Sequence, residues 1–185
     1  MGTFTDHGLY RYDTVSVTSG TPSSFTIDID PDSALSMVTL ETTSTNESNN
    51  SLRIKVLDSS SFAMSVAYRM IVSGTTSTLS SSSGTTNPYL TYQYLGNLTS
   101  SFGSYEAQRA TLWVTNVMSG SAPYRHPQIH AMVNYESTSG TNHSTIVSMK
   151  LRETYKISAL SFNYQVGNGD YAQAESYGMG SLSQT

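Results

Sequence analysis

Histidines stand four apart in His126-Pro127-Gln128-Ile129-His130. On a helix that spacing brings two imidazoles to one face, where they can hold zinc. Pro127 and the alternating residues after it predict a strand instead. No acidic third ligand is near in sequence, so the pair reads as one loop histidine and one strand histidine. Asp28-Ile29-Asp30-Pro31-Asp32 gathers three carboxylates, the hard oxygen donors that calcium favours. The glycine and closing glutamate of an EF-hand loop are absent, and the expected role is a solvated turn in which aspartate caps backbone N–H groups. No Gly-x-Ser-x-Gly elbow occurs. None of the 13 acidic residues sits in a recognisable context for paired-carboxylate hydrolysis. The sequence therefore predicts no catalytic residue, no metal site, no cofactor and no enzyme.

Aromatic contact is the other chemistry on offer. Tyr89, Tyr92, Tyr94, Tyr105, Tyr124, Tyr135 and Trp113 could stack on pyranose rings, but tyrosines alternating along strands more often line a core edge or a subunit interface. Residues 1–12 carry Phe4, Leu9, Tyr10 and Tyr12 among glycine and polar residues. This segment reads either as a frayed terminus or as an arm that docks on a neighbour through its aromatics. The candidate interaction residues are Phe4, Leu9, Tyr10, Tyr12, Tyr92, Tyr94 and Trp113. Four Asn-x-Ser/Thr sequons, at Asn46, Asn49, Asn97 and Asn142, are what chance supplies in a chain this rich in hydroxyls.

The elements that must position these groups follow a period of two. Phe25-Thr26-Ile27-Asp28-Ile29 and Leu52-Arg53-Ile54-Lys55-Val56 alternate apolar and polar residues, which places every second side chain on one sheet face. Strands are expected at Thr14–Thr18, Phe25–Asp30, Ser36–Thr43, Leu52–Leu57, Val66–Val72, Leu90–Leu95, Ala110–Val117, Ile129–Tyr135, Thr145–Arg152 and Ile157–Val166, with Ala172–Met179 closing the domain. In Ala110–Val117, Leu112 and Val114 share one face, Trp113 and Thr115 the other. Gly74–Thr86 is almost entirely Ser, Thr and Gly and reads as a long exposed loop. A short helix is weakly signalled in Ser100–Gln108. No sustained 3.6-residue period and no internal repeat is present. Residues 13–185 thus read as one all-β domain, a single jelly-roll-like β-sandwich of about 8–10 strands, preceded by the arm at 1–12. An immunoglobulin-like sandwich is the rival, without the Cys…Trp…Cys signature.

Composition narrows the partners. Only 12% of the 185 residues are charged, against about 25% in ordinary domains. Ser (33) and Thr (24) fill the polar positions, and 13 tyrosines offer contact area at little entropy cost. A net charge of −4 argues against nucleic-acid binding, which needs a basic stripe. With no cysteine there is neither a disulfide framework nor a thiolate metal site. Met1–Asp6 lacks the basic and apolar regions of an export leader, and no apolar run approaches the length of a membrane span. The expectation is a protein made in a cytoplasm, with no membrane partner.

Three segments, opening at Tyr12-Asp13-Thr14-Val15, centred on Thr111-Leu112-Trp113-Val114 and closing at Ser176-Tyr177-Gly178-Met179, resemble a family of jelly-roll structural proteins from tailed bacteriophages. Tyr12-Asp13-Thr14-Val15 through Ser24-Phe25-Thr26-Ile27-Asp28-Ile29-Asp30-Pro31 is similar to the family's first two strands. Thr111-Leu112-Trp113-Val114-Thr115-Asn116-Val117 resembles a middle strand, with Val117 where an aromatic is usual. Ile157-Ser158-Ala159-Leu160-Ser161-Phe162, Gly167-Asn168-Gly169-Asp170-Tyr171-Ala172 and Ser176-Tyr177-Gly178-Met179 resemble the family's ending. The resemblance runs from about Tyr10 to Leu182 and is a pattern, not a stringent motif. It implies a non-enzymatic virion protein: a capsid decoration (cement) protein on the outer surface of the phage head, assembled in the host cytoplasm. Its implied partners are the major capsid protein and further copies of itself, as a homo-oligomer with a trimer favoured. The alternative is a tail or tail-fibre module that contacts the host surface, with glycan as its candidate ligand. In the closing strand, Tyr177 is expected to pack, Gly178 to admit another backbone, and Met179 to fill a gap.

Overall fold

The computed structural model describes residues 8–18, 23–44, 52–73, 78–86, 106–116, 126–136, 142–164 and 171–181. Eleven strands form within them: β1 (Tyr10–Val17), β2 (Ser24–Asp28), β3 (Ser33–Ser44), β4 (Leu52–Leu57), β5 (Val66–Ser73), β6 (Thr78–Thr85), β7 (Glu106–Thr115), β8 (Gln128–Glu136), β9 (Asn142–Leu151), β10 (Ala159–Tyr164) and β11 (Tyr171–Ser181). Among the described residues there is no helix.

The strands make two antiparallel sheets, ordered β1-β11-β3-β7-β8-β9-β5-β6 and β2-β10-β4. The connections β1→β2, β2→β3, β3→β4 and β10→β11 each cross from one sheet to the other. This is jelly-roll winding, with β1-β11-β3-β7 as one layer and β2-β10-β4 as the other. The β5–β6 and β8–β9 pairs widen only the large sheet beyond β7.

Alternation set the faces. On the small sheet, Phe25, Ile27, Leu52, Ile54, Val56, Leu160 and Phe162 are buried. Phe25 and Phe162 are cross-strand partners whose rings stack with centroids 5.3 Å apart. The large sheet buries Val38, Leu40, Leu112, Val114, Ile129, Val133, Val147, Met149, Val66 and Met70, all in one core with the small sheet. The inner positions of β11 are all small: Ala172, Ala174, Ser176 and Gly178. That lets the sandwich pinch at this edge. Ser176 Oγ donates to the Asp28 carbonyl at 2.7 Å, and Asp13 Oδ2 accepts from the Asp28 N–H at 2.9 Å. The outer edge of β2 is thereby capped at its Asp28 end, which leaves less of it open for pairing with another chain. Across the core, Asn116 donates from Nδ2 to the Ile157 carbonyl at 3.0 Å and accepts the Ile157 N–H at 2.8 Å, which fixes the entry to β10.

Several expectations shift. The first strand begins at Tyr10, not Thr14, so Tyr10, Arg11 and Tyr12 of the segment read as an arm lie in β1. Their partner is β11, far along the chain, and no local pattern announces it. Within Gly74–Thr86, read as a loop, Thr78–Thr85 is strand β6. A sheet-edge strand bonds through its backbone and needs no apolar side chains to do so. Glu106–Gln108, placed in a weak helix, opens β7. The strand expected at Leu90–Leu95 lies outside the described residues, and the count reaches eleven rather than 8–10. Gly178 admits not another backbone but the Tyr10 ring: a Cβ there would overlap it. An aromatic lying over a cross-strand glycine restores the contact that glycine lacks.

Candidate interaction surface

With the inner face of the large sheet buried, its other face is open, and the strand register lays out what stands there. One row runs through Arg11, Tyr177, Met37, Trp113, His130, Ser148 and Arg69, on β1, β11, β3, β7, β8, β9 and β5. The next row runs Glu175, Thr39, Thr111, Met132, Ile146 and Ile71. Met132, Ile146 and Ile71 are 43%, 50% and 51% exposed. Directly opposed side chains on neighbouring strands lie about 4.5–5.5 Å apart at Cβ, so these three form a continuous apolar stripe. Half-buried Trp113 stands diagonally from Met132, flanked by Met37 and His130.

The charges on this face are unevenly spread. Arg109 Nε lies 3.3 Å from Glu41 and Arg11 3.7 Å from Glu175, so the β1–β7 half is internally neutralised. Arg69 and Lys150 stand exposed on the β9–β5 half. Tyr177 donates its hydroxyl to Glu175. That bond, and secondarily burial, raises the phenol above its ordinary pKa.

The residues singled out from sequence do not converge. Trp113 belongs to the outer face. Tyr12 (46% exposed) and Leu9 (54%) lie at the β1 edge, with β11 and β3 between them and β7. Tyr10 turns instead to the inner side, where its ring covers Gly178 and its hydroxyl donates to Asp30. Desolvation, then the Asp30 hydrogen bond and charge, push the Tyr10 phenol up to about 12. Tyr12 is raised by burial and by the charges of Asp30, Asp28, Asp13 and Asp32. Phe4, Tyr92 and Tyr94 lie outside the described residues.

The chemical constellations are also dispersed. Asp30 accepts from Tyr10 and, at 2.9 Å, from the Asp32 N–H, and Asp32 pairs with Lys156 at 2.7 Å. These carboxylates cap backbone and pair charges, as a turn requires. His126 Nδ1 sits 3.4 Å from the Glu153 carbonyl, while His130 Nδ1 sits 3.1 Å from Ser148 Oγ on the outer face. Among the described residues, no group of three or more His, Cys, Asp or Glu side chains could hold a metal ion.

Sequence reasoning missed Met37, Met132, Ile146 and Ile71. A signal was present: Met37-Val38, Met70-Ile71-Val72, Ala131-Met132-Val133 and Ile146-Val147 place apolar residues side by side where alternation calls for a polar one. Each run marks a strand with an apolar side chain on its wet face. No protein-family model, no curated protein and no solved structure matches the chain.

Proposed function

We propose that this protein is a non-enzymatic structural component of a phage particle that works by contact, with a second copy of itself covering the outer face of the large sheet. The observation that carries the reading is the stripe Met132–Ile146–Ile71 beside Trp113. Contiguous apolar surface of this kind marks association sites on folded proteins. The area suffices. Eight strands spaced about 4.8 Å apart, crossed by four outward rows about 6.8 Å apart, span roughly 1,000 Å², against about 800 Å² per partner in a standard stable interface. A two-fold axis across the strands, running along the row Met132–Ile146–Ile71, lays this stripe of one copy on the same stripe of the other. Such isologous pairing closes as a dimer. A trimer, which the phage resemblance implies, would join through other surfaces.

Within this reading the capsid decoration role is the specific proposal, supported by the resemblance and by the jelly-roll winding. Sedimentation velocity tests the contact: the wild-type chain self-associates, and Ile71→Ser/Ile146→Ser sediments as a monomer with an unchanged β-type circular-dichroism spectrum. A monomeric wild type, or an equally associated variant, sinks the outer face as the interface. Quantitative mass spectrometry of particles tests the location. Copies in the hundreds support the head; about a dozen support a tail, where few symmetry-related positions exist.

A further inference from the structure

On the far side of the molecule from the β1 edge, two exposed aromatic rings flank one cleft. Phe62 is 72% exposed and Tyr155 63% exposed. The cleft between them has a volume of about 500 Å³ and is also lined by Asp58, Ser60, Met64 and Glu153. That volume falls within the range of about 300–1,000 Å³ usual for small-molecule sites.

Phe62 is held outward by a built turn. Asp58 Oδ1 accepts from the Ser60 and Phe62 N–H groups at 2.8 and 3.0 Å, and the Asp58 N–H donates to the Phe62 carbonyl at 3.1 Å. The turn requires Ser61 at φ 63°, a left-handed conformation that non-glycine residues adopt rarely. The Met64 N–H then ties the exit of the turn to the Val56 carbonyl at 2.8 Å. Phe62 and Tyr155 are thus two exposed rings grouped on one cleft rather than scattered singly, and grouped apolar surface of this kind marks a binding site. On the opposite wall both Glu153 carboxylate oxygens lie within 3.2 Å of the single Ser65 N–H. A carboxylate has about four acceptor positions, so further donors can be accommodated.

We propose that this cleft binds an uncharged hexopyranose residue. A pyranose offers an apolar face to an aromatic ring and hydroxyls to carboxylates and serines, and Phe62, Tyr155, Asp58, Ser60 and Glu153 supply both halves. A protein hot spot fits less well, because such pockets are depleted in Asp, Glu and Ser. The two carboxylates repel acidic sugars. This site is independent of the outer-face reading and uses none of its residues.

Saturation-transfer NMR on the full chain tests it, with the methyl glycosides of glucose, galactose, mannose and N-acetylglucosamine, and with sialyllactose as the acidic arm. At least one neutral glycoside is expected to receive saturation. Phe62→Ala and Tyr155→Ala are each expected to weaken binding by about three- to tenfold, the worth of one aromatic contact, with the circular-dichroism spectrum and oligomeric state unchanged. Ile146→Ser leaves sugar binding intact. The proposal is overturned if no neutral glycoside binds. It is equally overturned if the folded F62A/Y155A double variant binds as well as wild type, if sialyllactose binds best, or if the same substitutions abolish attachment to a protein while no sugar binds.

Discussion

The two faces of the eight-stranded sheet share every strand and yet carry opposite assignments. The inner face holds Val38, Leu112, Ile129 and Val147, all sealed from water; one residue along each strand, Met37, Trp113, Gln128 or His130, and Ile146 face outward. Backbone pairing is the same for both. What differs is that the small sheet β2-β10-β4 packs against one face only. Apolar character alone therefore does not place a residue in the core. Met132, Ile146 and Ile71 are as apolar as their inner neighbours and remain open, so they are available for contact between molecules.

Substitutions on the two faces should separate folding from association. The largest effect is expected at Phe162→Ala, which removes a fully buried ring stacked on Phe25. A loss of about 3–5 kcal/mol is expected, read as a reduced midpoint in urea with unchanged slope. Asn116→Ala comes next. It strands the Ile157 N–H and carbonyl in the core, and each buried unpaired group costs about 1–3 kcal/mol. An Asn116→Ala midpoint equal to wild type would show that water reaches this point.

Gly178→Ala should cost about 1–3 kcal/mol as an overpacked contact with the Tyr10 ring. Most of that loss should disappear when Tyr10→Ala is combined with it, since the double variant removes the clash. Additive losses would break the account of Tyr10 as the cover of Gly178.

A pH scan sharpens the same contact. The Tyr10 phenol is raised from 10.0 to about 12 in the fold, so between these values the folded state holds a proton that the unfolded chain has released. By linkage, stability falls as pH rises through that window, and the contribution is complete below pH 10. Thermal midpoints measured from pH 9 to 12 should fall less steeply in Tyr10→Phe than in wild type. Parallel curves would remove Tyr10 as their source.

The smallest effect on stability is expected on the outer face. Ile146→Ser should change the unfolding free energy by no more than about 0.5 kcal/mol, while weakening self-association. A loss comparable with Phe162→Ala would mean that Ile146 is core, and the contrast between the faces would collapse.

Sheet faces were legible in the sequence because a period of two is a local property. Each of Phe25, Ile27, Ile54, Val56, Leu112 and Val114 could be assigned inward from its immediate neighbours alone. The all-β class followed from the same pattern. Adjacent apolar pairs such as Ile146-Val147 also carried the outer stripe, legible one strand at a time.

Which strands stand beside which was not legible. Tyr10 lies against Gly178, and Met132 against Ile146 and hence Ile71, through pairings that join distant segments. β6 formed from a Ser/Thr run because β5 offered its backbone edge. Phe62 and Tyr155 share a cleft although 92 residues separate them in the chain. Local sequence determined which way each side chain points, because backbone geometry alternates regardless of partner. Tertiary structure alone decided what each one meets, because hydrogen-bond register joins segments that carry no mark of one another.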